Sequence, residues 1–280
     1  LNENDLNIKA DLHLHTNYSD GIFSPEELLQ KAKQAGISFL SITDHDNVDA
    51  IEEAIEIGTS LGIEVIPGVE LSAEMNDHEV HILGYFFDYR NQEFEDYLKR
   101  FRRHRIERAK KIVKKLNCLN VPLSYDDVMD VVKGDVSVGR PHVAYALQNR
   151  KFVESYYEAF AKYLADEKPA YVKKENITPK QALQLIANAG GLSFIAHPGK
   201  TVKTDEIFEM IHIGIDGIEI IHPSHSDKDT SYLQAIAGQY FLLESGGSDF
   251  HGARINEERN LGKYYVSEKN VEAMKRRLFH

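Results

Sequence analysis

Two histidines separated by a single leucine, His13 and His15 in KADLHLHTNYSDG, are the first residues of this 280-residue chain that could do chemistry. Alternate residues of a strand project to the same side, so both imidazoles would face one point. Burying them without partners is costly. They therefore lie on a solvated face, or something inside binds them. Taken alone the pair is a weak sign of metal. The sign strengthens because His45 closes SITDHD, Glu70 closes IPGVE, His81 lies in EVHILGY and His197 closes SFIAHP. Glu219 and His222 lie in GIEIIHP, and Asp249 with His251 ends SGGSDFH. So many imidazoles and carboxylates at strand ends would desolvate and repel one another unless cations joined them. Nitrogen and oxygen donors together suit Mn, Fe or Zn better than a calcium cage.

The elements that must position these residues follow from periodicity. IKADLHLHT reads as a strand, and SPEELLQKAKQAG as a helix with Ser24 as N-cap, Pro25 at its first position, Glu27 completing a capping box and Gly36 ending it. A second strand in SFLSITDHD, a helix over 49–61 and strands in IEVIPGVELSAE and HEVHILGYFF follow. This rhythm predicts a mainly parallel sheet, open or closed into a barrel, whose strand ends form one functional rim. From residue 92 to about 190 the pattern is helical, beginning with a long run over 92–117 and ending with TPKQALQLIANAGG. Alternation then resumes with LSFIAHP, a helix over 204–213, DGIEIIHP, a helix over 227–238 and FLLESGGSDFHG. The expectation is an α/β barrel, residues 1–91 and 190–280, with a helical insertion, 92–189, capping its active site.

Composition narrows the classes. A single cysteine, Cys118, excludes an internal disulfide and thiolate-rich metal sites, and fits a reducing cytosol. No window approaches 18 uninterrupted apolar residues, and the first residues lack a signal-peptide pattern, so a cytoplasmic protein without a membrane span is expected. The formal charge of −11 argues against a surface that coats duplex DNA. Within that acidity, residues 99–115 hold ten Lys or Arg against one acid, Glu107. Such a run is either a solvated helix face or a local attraction for a polyanion.

In order along the chain, DLHLHTNYSDG, SITDHDN, PGVELSA, HILGY, AHPGK and GSDFHG resemble the motifs of the PHP (polymerase and histidinol phosphatase) superfamily, over roughly residues 8–90 and 190–265. SVGRPHVAYAL within the insertion is similar to the branch that contains nucleoside 3′,5′-bisphosphate phosphatases and a 5′-to-3′ exoribonuclease. The resemblance implies a distorted (β/α)7 barrel with an inserted helical subdomain. It also implies three divalent metals, Mn2+ foremost with Fe2+ or Zn2+ as alternatives, that hydrolyse phosphate esters through a metal-activated hydroxide. Carried over residue by residue, one metal takes His13, His15, Glu70 and Asp249. Glu70 bridges to a second metal completed by His81 and His197, and a third takes Asp20, His45 and His251.

Asp11 and Asp44 flank ligand positions and either orient imidazoles or cap strand ends. Arg140 and His142 in GRPH, Lys200 in AHPGK and His225 in HPSHS are candidate substrate contacts, with Arg140 and His225 also candidate assistants to the chemistry. Arg140 equally suits a helix start beside Pro141, and His222 suits a hydrogen-bonded strand end. For His78, His104, His212 and His280 a surface position is expected. The expected substrates are 3′,5′-nucleoside bisphosphates or short 5′-phosphorylated RNA. Histidinol phosphate or another small phosphomonoester is the alternative. Cleavage of C–N bonds, as in amidohydrolases that also carry His-x-His, fits less well because the Asp20, His45, His251 set is additional. A non-catalytic module that binds nucleic acid or a partner is disfavoured because no ligand position is missing.

Overall fold

Ser24 accepts from the Glu27 amide while the Glu27 carboxylate accepts from the Ser24 amide at 2.9 Å, and this reciprocal cap starts the first helix where its sequence signature stands. The computed structural model describes residues 8–132, 138–174, 176–252 and 257–278. The side chain of Lys200 and the whole of His280 lie outside the described part. By its internal contacts the chain divides into two compact units, residues 1–95 with 176–280, and residues 96–175.

In the first unit, β1 (Lys9–Leu14), α1 (Pro25–Gln34), β2 (Ile37–Ile42), α2 (Ile51–Leu61) and β3 (Glu64–Met75) alternate, and their strands pair in parallel. β4 (His78–Tyr85) departs from the parallel expectation: it runs antiparallel to β3. Only Asn76 and Asp77 separate the two strands, with φ of 48° and 65°. Two left-handed residues make a tight hairpin turn, and Asn and Asp tolerate that region better than most. A helix crossover has no room there.

The chain then enters α3 (Gln92–Cys118), followed by α4 (Tyr125–Met129), α5 (Arg140–Asn149) and α6 (Tyr156–Ala159), which runs into a π-helical turn over Phe160–Leu164. These belong to the second unit, apart from the first turn of α3. Its core is formed by one face of α3 (Ala109, Ile112, Val113, Leu116) and by Val128, Val143 and Leu147. That the apolar positions of α3 recur at three- and four-residue intervals is why a helix so rich in Lys and Arg still buries a face.

α7 (Pro179–Asn188), capped by Thr178, belongs to the first unit, although its sequence continues the helical pattern counted above within 92–189. Ala182, Leu183, Leu185 and Ile186 bury its inner face, and Ile186 lies against the bare backbone of Gly84 in β4 and Gly191. β5 (Leu192–Ile195), the short α8 (Pro198–Thr201), α9 (Thr204–His212), β6 (Gly217–Ile221), α10 (Asp227–Tyr240), β7 (Leu243–Gly246), β8 (Val266–Ser267) and α11 (Glu268–Leu278) complete the unit. β5 is antiparallel to β4 and parallel to β6, which is parallel to β7.

The strand order is β7-β6-β5-β4-β3-β2-β1-β8, with β8 antiparallel on the first residues of β1. The segment after β7 returns to β1: Leu14 bridges Phe250 in parallel, and the His15 amide donates to the Phe250 carbonyl at 3.0 Å. The seven long strands thereby form a nearly closed, distorted barrel, the architecture expected from the motifs. Gly247 permits this closure, since a Cβ there would lie 2.5 Å from the His13 nitrogen. Among the described residues, no helix is long and apolar enough to cross a membrane.

Candidate metal centre

His13 ends on the barrel side of β1 and His15 follows just beyond the strand; both are fully buried, with ring centroids 5.1 Å apart. Glu70 stands in β3, and the register Ser72↔His81 places His81 of β4 on the same face, diagonal to Glu70. His197 follows β5, while Asp249 and His251 follow β7. Asp20 comes from the turn after β1, where a Cβ on Gly21 would meet the His15 carbonyl oxygen at 2.5 Å. His45 lies past β2, bridged to Glu70.

All nine residues that the resemblance marked as ligands converge. His13 Nε2 and His15 Nε2 lie 3.1 and 3.3 Å from Glu70 Oε2, and 3.5 and 3.3 Å from Asp249 Oδ1. The other Glu70 oxygen lies 2.7 Å from His81 Nδ1 and 2.9 Å from His197 Nε2, and those nitrogens are 3.3 Å apart. Asp20 is 3.3 Å from His251 Nε2 and 3.9 Å from His45 Nε2. Donors 2.0–2.2 Å from one tetrahedral or octahedral ion sit about 2.8–3.6 Å from each other. Most of these separations fall in that range. Both ring nitrogens of His15 and Nδ1 of His45 are buried without a hydrogen-bond partner, a costly arrangement that a cation would relieve. The residues therefore fit divalent metals. The groupings that place candidate atoms together are His15, Asp20, His45 and His251; His13, His15 and Glu70; His45, Glu70 and His81; and His13, His222 and Asp249.

The electrostatics agree. Burial alone would depress the His13 imidazole, yet Glu219 and Glu70 outweigh it and hold His13 well above the ordinary histidine range. His81 is likewise lifted to about 10 against burial, chiefly by Glu70, and His251 to about 10 by Asp20 and Glu257. Burial wins at His45, pushing it down to about 3. Against the same burial, surrounding histidines hold Glu70 and Asp249 well below the carboxylate range. In the cation-free protein, protons neutralise a site that cations would otherwise neutralise.

A layer of carboxylates behind the cluster sets its geometry. Glu219, fully buried in β6, accepts from His13 Nδ1–H at 2.8 Å and from the His197 amide at 2.6 Å. It thus leaves His13 Nε2 free for a ligand role and fixes His197 in a left-handed conformation, φ 30°. The sequence marked Glu219 only as a strand-end acid. Asp44 and Asp11 do not orient imidazoles. Asp44 accepts from the Thr16 amide at 2.7 Å and the Ser19 hydroxyl at 2.6 Å, which pins the turn that carries Asp20. Asp11 accepts from the Ser248 amide at 2.9 Å, holding the segment before Asp249 against β1; burial pushes its carboxyl up to about 7. His222 is buried with Nε2 3.4 Å from Asp249, while its Nδ1 accepts from the Ser224 amide.

The candidate substrate contacts have other attachments. His225 donates from Nδ1 to the Ile220 carbonyl at 2.9 Å and accepts the Gly199 amide at Nε2, 3.2 Å, so neither nitrogen holds a proton ready for a leaving group. It steadies the Pro198–Gly199 turn beside His197 instead. In the second unit, Arg140 pairs with Asp166 at 2.7 Å, and His142 accepts the Gly139 amide at 3.0 Å as part of the α5 cap. His78 pairs with buried Glu206 at 3.4 Å rather than lying free on the surface.

Comparison with known proteins agrees with this geometry. The chain is 32% identical over 259 residues to the 5′-3′ exoribonuclease Rnm of Salmonella typhimurium, covering 90% of this chain and 88% of that one. It is 32% identical over 246 residues to a 3′,5′-nucleoside bisphosphate phosphatase of Chromobacterium violaceum, covering 86% of each. A solved structure described as a metal-dependent phosphoesterase of Bifidobacterium adolescentis superposes with a TM-score of 0.84 at 29% identity over 96% of both chains. With the PHP domain model matching residues 11–170 as well, the chain belongs to the PHP family.

Proposed function

We propose that this PHP phosphoesterase acts on nucleotides, removing phosphate from 3′,5′-nucleoside bisphosphates or trimming short 5′-phosphorylated RNA. Three divalent cations would be held by His13, His15, Glu70 and Asp249, by Glu70, His81 and His197, and by Asp20, His45 and His251. Mn2+ is the cation proposed first. The observation that carries the reading is His15, whose two buried nitrogens lack hydrogen-bond partners while Nε2 lies 3.3 Å from both Glu70 and Asp249. When bound, such cations supply Lewis acidity at phosphoryl oxygens and an acidified water. The chain's own residues do the positioning. Glu219 presents His13 Nε2, Asp44 fixes the Asp20 turn, and Asp11 anchors the approach to Asp249. The relatives named for RNA and for nucleoside bisphosphates support the substrate class. Arg140 and His142 are proposed to contact a second phosphate, with Lys200 as a further candidate.

The test loads the purified protein with Mn2+, counts bound metal, and compares 3′-phosphoadenosine 5′-phosphate, 5′-phosphorylated RNA and histidinol phosphate as substrates. Turnover of either of the first two, lost together with bound metal in Asp249→Ala, is expected. Full activity after complete removal of metal, or fast turnover of histidinol phosphate alone, would overturn the proposal.

A further inference from the structure

The two units differ sharply in charge. Residues 96–175 contain 18 Lys and Arg against 11 Asp and Glu, a formal +7, whereas the rest of the chain holds 15 against 33, a formal −18. The positive charge is not spread evenly over the second unit. A cavity of about 250 Å3 is lined by Arg105, Arg108, Lys111, Lys173, Lys174 and His104. The acid on its wall, Glu107, lies 2.9 Å from Lys110. Two of the guanidinium groups are braced by the backbone, Arg105 Nε donating to the Val138 carbonyl at 3.1 Å and Arg108 Nε to the Val172 carbonyl at 2.7 Å. Braced side chains lose little further freedom on binding an anion.

A second feature of the same unit is aromatic. Tyr157 is 81% exposed and Tyr145 50% exposed, far more than a core would leave. They flank Tyr156, whose ring lies 4.9 Å from Tyr145, 5.6 Å from Tyr157 and 5.0 Å from Phe160. Arg140 links this cluster to the cradle, its guanidinium 6.0 Å from the Phe160 ring and 5.5 Å from the ring of Tyr171. Tyr171 directly precedes the cradle residues Val172, Lys173 and Lys174.

Cations that track a phosphate backbone beside exposed rings on which bases stack are the two components of single-strand recognition. We propose that residues 96–175 bind single-stranded RNA, with the Arg105–Lys173 cradle taking backbone phosphates and the Tyr145–Tyr157 cluster stacking bases. The choice of polymer rests on the nucleotide phosphoesterase reading above, which this proposal deepens. A mononucleotide would gain little from such a surface, and an oligonucleotide would gain contact at each phosphate.

Binding of a fluorescent 2′-O-methyl phosphorothioate 12-mer, which resists hydrolysis, is measured by anisotropy across a salt series with the full metal-loaded chain. Lys111 and Lys173 are both exposed, so the double variant Lys111→Gln, Lys173→Gln leaves the core untouched. It should lower the slope of log affinity against log salt by about 1.4, since each lost phosphate contact removes about 0.7 for a single strand. Tyr157→Ala should weaken binding roughly tenfold, the loss of one stacked base. Lys228→Gln with Lys269→Gln removes the same charge from exposed positions of the other unit and should leave the slope unchanged. Equal losses in both lysine pairs, no effect of Tyr157→Ala, or no binding by the wild type would overturn the proposal. Binding that behaves as expected in a protein that hydrolyses none of the three test substrates would instead overturn the catalytic reading alone.

Discussion

Replacing Glu219 by glutamine keeps its shape and removes the feature on which the centre depends. Its two carboxylate oxygens face two donors, His13 Nδ1–H at 2.8 Å and the His197 amide at 2.6 Å, in a site with no exposure. Glutamine offers one acceptor and one donor. If its oxygen meets the His197 amide, its NH2 meets His13, and the imidazole must then accept at Nδ1. The ring proton moves to Nε2, the atom 3.1 Å from Glu70 and 3.5 Å from Asp249, which can no longer coordinate. If the amide turns the other way, the His197 amide is left facing a donor. The lost charge-assisted bonds make Glu219→Gln less stable in the cation-free state by roughly 2–4 kcal/mol. Loss of the ring orientation lowers affinity for the cation at His13 by roughly 10–100-fold. Mn2+ titration followed by calorimetry, with thermal melts of the cation-free protein, reads both quantities. The site formed by Asp20, His45 and His251 does not touch Glu219, so its affinity should hold. Unchanged affinity at every site, or an equal fall at all of them, would refute the argument that Glu219 sets the His13 tautomer.

Four further outcomes follow from the same geometry. His15→Ala should leave a folded protein that binds fewer cations and lacks phosphatase activity, checked by metal analysis and circular dichroism; undiminished metal content would count against His15 as a ligand. Metal uptake at pH 7.5 should release about three protons, because His13 is held well above the ordinary histidine range by Glu219 and Glu70, and His81 and His251 hold theirs up to about pH 10 in the cation-free state, whereas His45, pushed down to about 3, holds none. Calorimetry in buffers of different ionisation enthalpy measures that number. The sign for stability is the matching one: these raised values contribute fully below the unfolded histidine value near 6.5, and the contribution is lost as pH rises through about 10, so the cation-free protein should melt earlier at pH 10 than at pH 7. Arg140→Ala should raise KM for 3′-phosphoadenosine 5′-phosphate at least tenfold with kcat little changed if it contacts a second phosphate; an unchanged KM would confine Arg140 to its Asp166 pair.

Local signals carried much of the fold. The Ser24–Glu27 cap, the alternation of short strands with amphipathic helices and the long run from residue 92 all depend on neighbours within a few positions, and each appears where the chain's own pattern places it. The antiparallel β4 did not follow, because the alternation argument assumes that every strand returns through a helix. Asn76–Asp77 was the available sign of a hairpin, two turn-forming residues between two apolar runs. The assignment of α7 turned on packing: TPKQALQLIANAGG is as helical as the segment before it, and the burial of its inner face on the strands, Ile186 against Gly84 and Gly191 among it, ties it to the barrel unit.

The same distinction divides the site. Ligand candidates were legible because a metal demands particular residue types at strand ends, and His13-x-His15 writes its shared face into adjacent positions. Orienting residues were not, because a carboxylate can serve any donor that the fold brings near it. Glu219 lies 206 residues from the ring it holds, and nothing beside it in DGIEIIHP distinguishes that task from an ordinary strand-end acid. Asp44 shows the converse: its place beside His45 suggested that it could orient that imidazole, yet in the segment past β2 its oxygens reach Thr16 and Ser19 instead. His225 was marked by type as a proton donor, and its two hydrogen bonds, to Ile220 and Gly199, make it a brace for the turn beside His197. Residue type thus identifies what a group can do, and the partners that fix its free lone pair decide which of those things it does.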